Sequence, residues 1–128
     1  MTTDRVLAIA ALLGVSAVAL GAFGAHGLTS MLASSIDTSE RLAWWETAAR
    51  YHLAHALACG LAAWAHERRG ARASIVSAAS FVIGVLVFSG SLYAMALGAP
   101  RWFGAITPIG GVALMIGWIA LAVAALRR

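Results

Sequence analysis

VLAIAALLGVSAVALGAFGA, residues 6–25, is the stretch on which the fold turns. It is nearly unbroken apolar sequence over the roughly 20 residues that a helix needs to cross a bilayer core. A secretory leader carries a shorter apolar stretch, of about 7–15 residues, behind a positive front end. Here the stretch is longer, Asp4 weakens the front, and three more apolar segments follow. The segment is therefore read as a retained membrane span.

Working outward, the remaining spans fall at about residues 44–66, 73–97 and 103–126, in one domain covering residues 1–128. Between spans 1 and 2, Leu28, Met31, Leu32 and Ile36 recur at helical spacing among serines and threonine, which suits a short interfacial helix. Asp37-Thr38-Ser39-Glu40 reads as a helix start, with Asp37 capping and Glu40 reaching back. Trp44 and Trp45 follow at headgroup depth. Pro108 suits an early helical position with Thr107 as cap, leaving residues 103–107 as a short irregular hairpin. The fold class is all-α, an integral membrane four-helix bundle.

Composition points the same way. Of 128 residues, 62% are hydrophobic and 11% charged, against roughly 45–50% and about 25% in soluble domains. The net charge of +4 comes from arginine alone. These arginines form short clusters beside the apolar segments instead of one basic stripe, which excludes a nucleic-acid partner. Four spans put Arg5, Arg68, Arg69, Arg72, Arg127 and Arg128 on one side, against Arg41, Arg101 and Arg50 on the other. The excess predicts cytoplasmic N- and C-termini. The single cysteine, Cys59, can form no intramolecular disulfide.

Small residues four apart occur at Gly21 and Ala25, Ala56 and Gly60, Ser80 and Gly84, Gly90, Ala94 and Gly98, and Ala113 and Gly117. Such rows let helix backbones approach closely in lipid. They serve packing within one bundle, or an interface with a second copy or another membrane protein.

The polar residues within the spans are unevenly placed. His26, Glu46, Arg50, Tyr51, His52, His55, Ser89, Ser91, Tyr93 and Thr107 all fall in the outer half or near the midplane. Ionisable groups at that depth are costly unless they face the interior and find partners. Glu46 and Arg50 stand four apart in the favourable order for an ion pair. His52, His55 and Cys59 follow at intervals of three and four, a weak candidate metal or haem set that would need His26 or another helix to complete it. No cofactor is expected on this evidence of spacing alone. No nucleophile elbow, phosphate loop or catalytic carboxylate pair is present, so no enzymatic activity is expected.

The motifs Gly21-Ala22-Phe23-Gly24-Ala25-His26-Gly27-Leu28, Trp45-Glu46-Thr47-Ala48 with Tyr51-His52 and His55-Ala56-Leu57, Phe88-Ser89-Gly90-Ser91-Leu92-Tyr93, and Gly104-Ala105-Ile106-Thr107-Pro108-Ile109-Gly110-Gly111 carry a resemblance. In this order they resemble domain-of-unknown-function family 423, to which the animal transmembrane protein 256 homologues are similar. The resemblance implies a multi-helix protein of a bacterial inner membrane. It brings no reaction, substrate or cofactor.

Two function classes, and a third, follow. The leading expectation is a structural, accessory or assembly protein of the membrane, whose polar residues specify how its helices meet. Its rival is small-solute, ion or proton binding and transport through a hydrated outer pocket lined by His26, Glu46, Arg50, His52 and His55. Metal or haem binding comes third. Hydrogen-bond closure of the outer cluster would count against transport.

Overall fold

The computed structural model describes residues 2–126, so Arg127 and Arg128 of the charge count lie outside the described residues. Among the described residues the chain is helical throughout, with no strand. We label the long helices α1 (Thr3–Met31), α2 (Thr38–Arg69), α3 (Arg72–Ala96) and α4 (Thr107–Leu126). They run up, down, up and down.

Three stretches are long and apolar enough to cross a membrane: Thr3–Met31, Arg72–Ala96 and Arg101–Leu126. The 32-residue α2 is not among them, and it is the helix the others cover. Its buried side is mostly alanine, with Ala48, Ala58 and Ala62 at the centre. Short side chains give little apolar area but let neighbours come close, which is how helices associate once lipid removes the hydrophobic drive. The helix packs against α1, α3 and α4, while α1 packs chiefly on α2. The bundle is thus a three-helix core with α1 laid along one flank. Leu7, Leu12, Val15 and Val18 of α1 stay exposed, as lipid contact requires.

Close backbone approach is concentrated between α3 and α4. A Cβ at Gly110 would lie 2.3 Å from the Phe88 backbone nitrogen, and one at Gly84 2.2 Å from Leu114. At Gly110 only glycine fits without movement of the facing helix, whereas at Gly84 the closest atoms belong to the Leu114 side chain. Of the small-residue rows expected to pack, Gly84 and Gly117 do so, whereas Gly21, Gly60 and Gly90 face open space.

Two single π turns interrupt the spans, at Gly24–Leu28 in α1 and Val85–Ser89 in α3. The first takes the place of the expected interfacial helix. Instead of lying flat, the segment continues α1 to Met31, because Leu28 and Leu32 bury against Trp45 and Ala96. The next helix begins at Thr38, where the sequence places a start, but by different means. Asp37 makes no side-chain cap, and Thr38 Oγ1 donates to the carbonyls of Leu32 and Ser35. Glu40 instead meets Arg101 across the rim of the bundle, with Nη2 to Oε2 at 2.6 Å. Gly70, at φ 60°, ends α2 with its N–H on the His66 carbonyl. Residues 101–105 form a short 3₁₀ turn in place of the irregular hairpin, and α4 follows from Thr107.

Candidate functional site

The outer polar residues do not meet in one cavity. They divide among the helix interfaces, beginning with the two histidines of α2.

His52 stands where α1, α2 and α3 meet. Its Nε2 lies 3.2 Å from Ser16 Oγ and its Nδ1 3.3 Å from the Tyr93 hydroxyl. Ser16 donates its own proton to the Leu12 and Leu13 carbonyls, so its oxygen accepts from His52. That assigns the proton to Nε2 and makes the Tyr93 hydroxyl the donor to Nδ1. One neutral imidazole thus ties three helices.

His55 faces the other way. Its Nδ1 donates to the Tyr51 carbonyl at 2.8 Å, and its Nε2 accepts from the Trp118 indole of α4 at 3.2 Å. The ring lies near Tyr51, Phe81 and Trp118. Both ring nitrogens of each histidine are therefore engaged within the protein. Cys59 is buried among apolar side chains with Val6 and Phe81. Among the described residues no three His, Cys, Asp or Glu side chains group as metal ligands would.

The hydroxyls are likewise spent between helices. Ser89, fully buried, donates to the Ala48 carbonyl at 2.8 Å, joining α3 to α2. Ser91 and Thr107 share a hydrogen bond of 2.6 Å between α3 and the start of α4.

The remaining candidates are open. Glu46 and Arg50 form their ion pair at 2.7 Å, each with 72% of its side chain exposed. They flank a groove between α1 and α2. His26 is exposed in the α1 π turn. Tyr51 is exposed, its ring tilted against Phe88 with centroids 4.5 Å apart, beside a second groove between α2 and α4.

Sequence reasoning missed several clasps. Trp45 donates its indole N–H to the Leu20 carbonyl at 2.7 Å, holding α1 against α2. Arg41 donates from Nε to the Ala96 carbonyl at 2.7 Å, capping α3 where Gly98 turns at φ 106°. Ser77 donates to the Gly117 carbonyl, joining α3 to α4. No local motif marks these bonds, because each partner carbonyl lies on a different helix.

The profile of the family described as "Protein of unknown function (DUF423)" matches residues 20–111. A UPF0382 membrane protein of Haemophilus influenzae is 42% identical over 119 residues, covering 93% of this chain and 91% of its own. UPF0382 membrane protein YwdK of Bacillus subtilis is 39% identical over 112 residues, 87% of each chain. UPF0382 inner membrane protein YgdD of Escherichia coli K12 is 37% identical over 127 residues, covering 99% of this chain and 93% of its own. No solved structure matches. With the family profile covering most of the chain and these relatives matching nearly end to end, the chain belongs to the DUF423 family of uncharacterised membrane proteins.

Proposed function

We propose that this protein is a non-catalytic accessory or assembly component of the bacterial inner membrane. It acts as a preformed helical body, with both termini in the cytoplasm, whose outer faces meet lipid, a second copy or another membrane protein. One observation carries this reading: the two buried histidines are consumed by helix-to-helix bonds, His52 with Ser16 and Tyr93, His55 with Trp118. A transport path needs polar groups that water can reach and that exchange partners during passage. Side chains locked to one another serve helix placement instead.

Proton flux and ring tautomers test this. In vesicles carrying an imposed pH gradient, purified protein is expected to leave the decay at the rate of empty vesicles. Nitrogen-15 spectra are expected to show His52 protonated at Nε2 and His55 at Nδ1. Accelerated decay together with exchanging tautomers would return the transport reading. Reporter fusions at the C-terminus are expected to report cytoplasm, and a periplasmic signal would reverse the orientation.

A further inference from the structure

The groove between α1 and α2, about 710 Å³, opens away from the bundle. Ala17, Gly21 and Ala22 of α1 and Ala49 and Leu53 of α2 form its apolar part, and Glu46 and Arg50 stand along one edge. An outward-facing ion pair on a membrane helix calls for a polar neighbour outside the bundle.

Depth says which neighbour. At about 1.5 Å per residue, Arg50 lies about 27 Å and Glu46 about 33 Å along α2 from Arg68. The pair therefore straddles the edge of a hydrocarbon core about 30 Å thick, at the level of lipid phosphates. From Thr29 to Ala17 the groove runs about 18 Å toward the midplane, roughly one leaflet. It is charged at the interface and apolar below, the polarity of a lipid in that leaflet. The pair itself uses one guanidinium nitrogen and one carboxylate oxygen. Other N–H groups of Arg50 and the second oxygen of Glu46 remain to meet an anion and a cation held a few ångströms apart.

We propose that this groove binds a phospholipid with an amine headgroup, its phosphate on Arg50, its ammonium on Glu46 and one acyl chain over Gly21 and Ala17. The site is independent of the non-catalytic reading. Loss of lipid binding would leave the proton-flux result unchanged, and leaky vesicles would leave lipid binding unchanged.

Native mass spectrometry of the full chain released from nanodiscs of phosphatidylethanolamine and phosphatidylglycerol tests it. The wild type is expected to retain one phosphatidylethanolamine in preference to phosphatidylglycerol. Glu46→Gln removes that preference, and Arg50→Gln lowers retention of both lipids about tenfold. Gly21→Leu blocks the floor and lowers both. A Cβ at Gly21 meets nothing within 4 Å, so the added side chain starts in open space. The charge variants sit on an exposed surface and provide an independent arm, with circular dichroism melting as the check on folding. Wild-type retention in all three variants overturns the proposal. So does a wild type released lipid-free as a dimer that Gly21→Cys crosslinks, since a second copy would then fill the groove.

Discussion

His52 and His55 carry their protons on opposite ring nitrogens because their fixed partners differ: a serine oxygen that accepts for one, a backbone carbonyl for the other. The Tyr93 hydroxyl is removable at little change in shape, whereas replacing the Trp118 indole also empties space beside Phe81. Trp118→Phe leaves His55 Nε2 without its donor, and Tyr93→Phe does the same to His52 Nδ1. Interhelical hydrogen bonds in membranes average about 0.6 kcal/mol, so each variant is expected to lower stability by roughly 0.5–2 kcal/mol. Unfolding of the purified protein by denaturing detergent measures this. A larger loss is expected for Arg41→Ala, which frees a helix-end carbonyl and removes a charged donor, about 1.5–3 kcal/mol. Glu40→Ala, on the exposed rim, is expected to cost below about 1 kcal/mol. The sequence placed His52 and His55 on one face. Three residues turn a helix through about 300°, so the two rings point about 60° apart, enough to enter different interfaces. Spacing showed that both were near the buried side; it did not carry their partners, which lie 36 to 63 residues away.

At the level of the helices, the contrast between Gly110 and Gly21 is directly testable. Gly110→Ala puts a methyl into the Phe88 backbone and is expected to destabilise the α3–α4 pair by about 1–3 kcal/mol. Gly21→Ala meets open space and is expected to be neutral or stabilising, by up to about 1 kcal/mol from helix propensity. Thermal melting of the two variants side by side checks the order. Which glycine row packs was not legible, since Gly21 and Gly110 both sit among small residues. The four helices were legible because length and apolarity are local quantities. The central position of α2 was not, since its low apolarity alone gives no sign that three other helices cover it. Nor did the local pattern foretell the rim pair of Glu40 with Arg101, because a capping box and a long-range ion pair ask for the same acid.

For the whole molecule, the asymmetry of the bundle matters most. The α1 helix leans chiefly on α2 and is clasped there by Trp45 and Ser16, while α2, α3 and α4 brace one another. Trp45→Phe is therefore expected to loosen α1 selectively. Disulfide trapping between cysteines placed on α1 and α2 should fall in yield, with trapping between α3 and α4 unchanged. Equal loss at both interfaces would mean that the helices part as one cooperative unit.

Each π turn holds one residue more than an α-helix would use over the same rise. Deleting a single residue from Gly24–Leu28 would let the turn close as ordinary α-helix over the same rise, with the residues on either side keeping their phase. Leu28 and Leu32 would then keep their seat beside Trp45 and Ala96, whereas the same deletion within Thr3–Phe23 would turn them off it by about 100°. The first span is in effect two rods joined at a turn that absorbs one residue, the N-terminal rod seated by the pairing of Ser16 with His52 and the C-terminal one by the burial of Leu28. The span can thus give up one residue at this turn and keep both seats, and nowhere else along Thr3–Phe23.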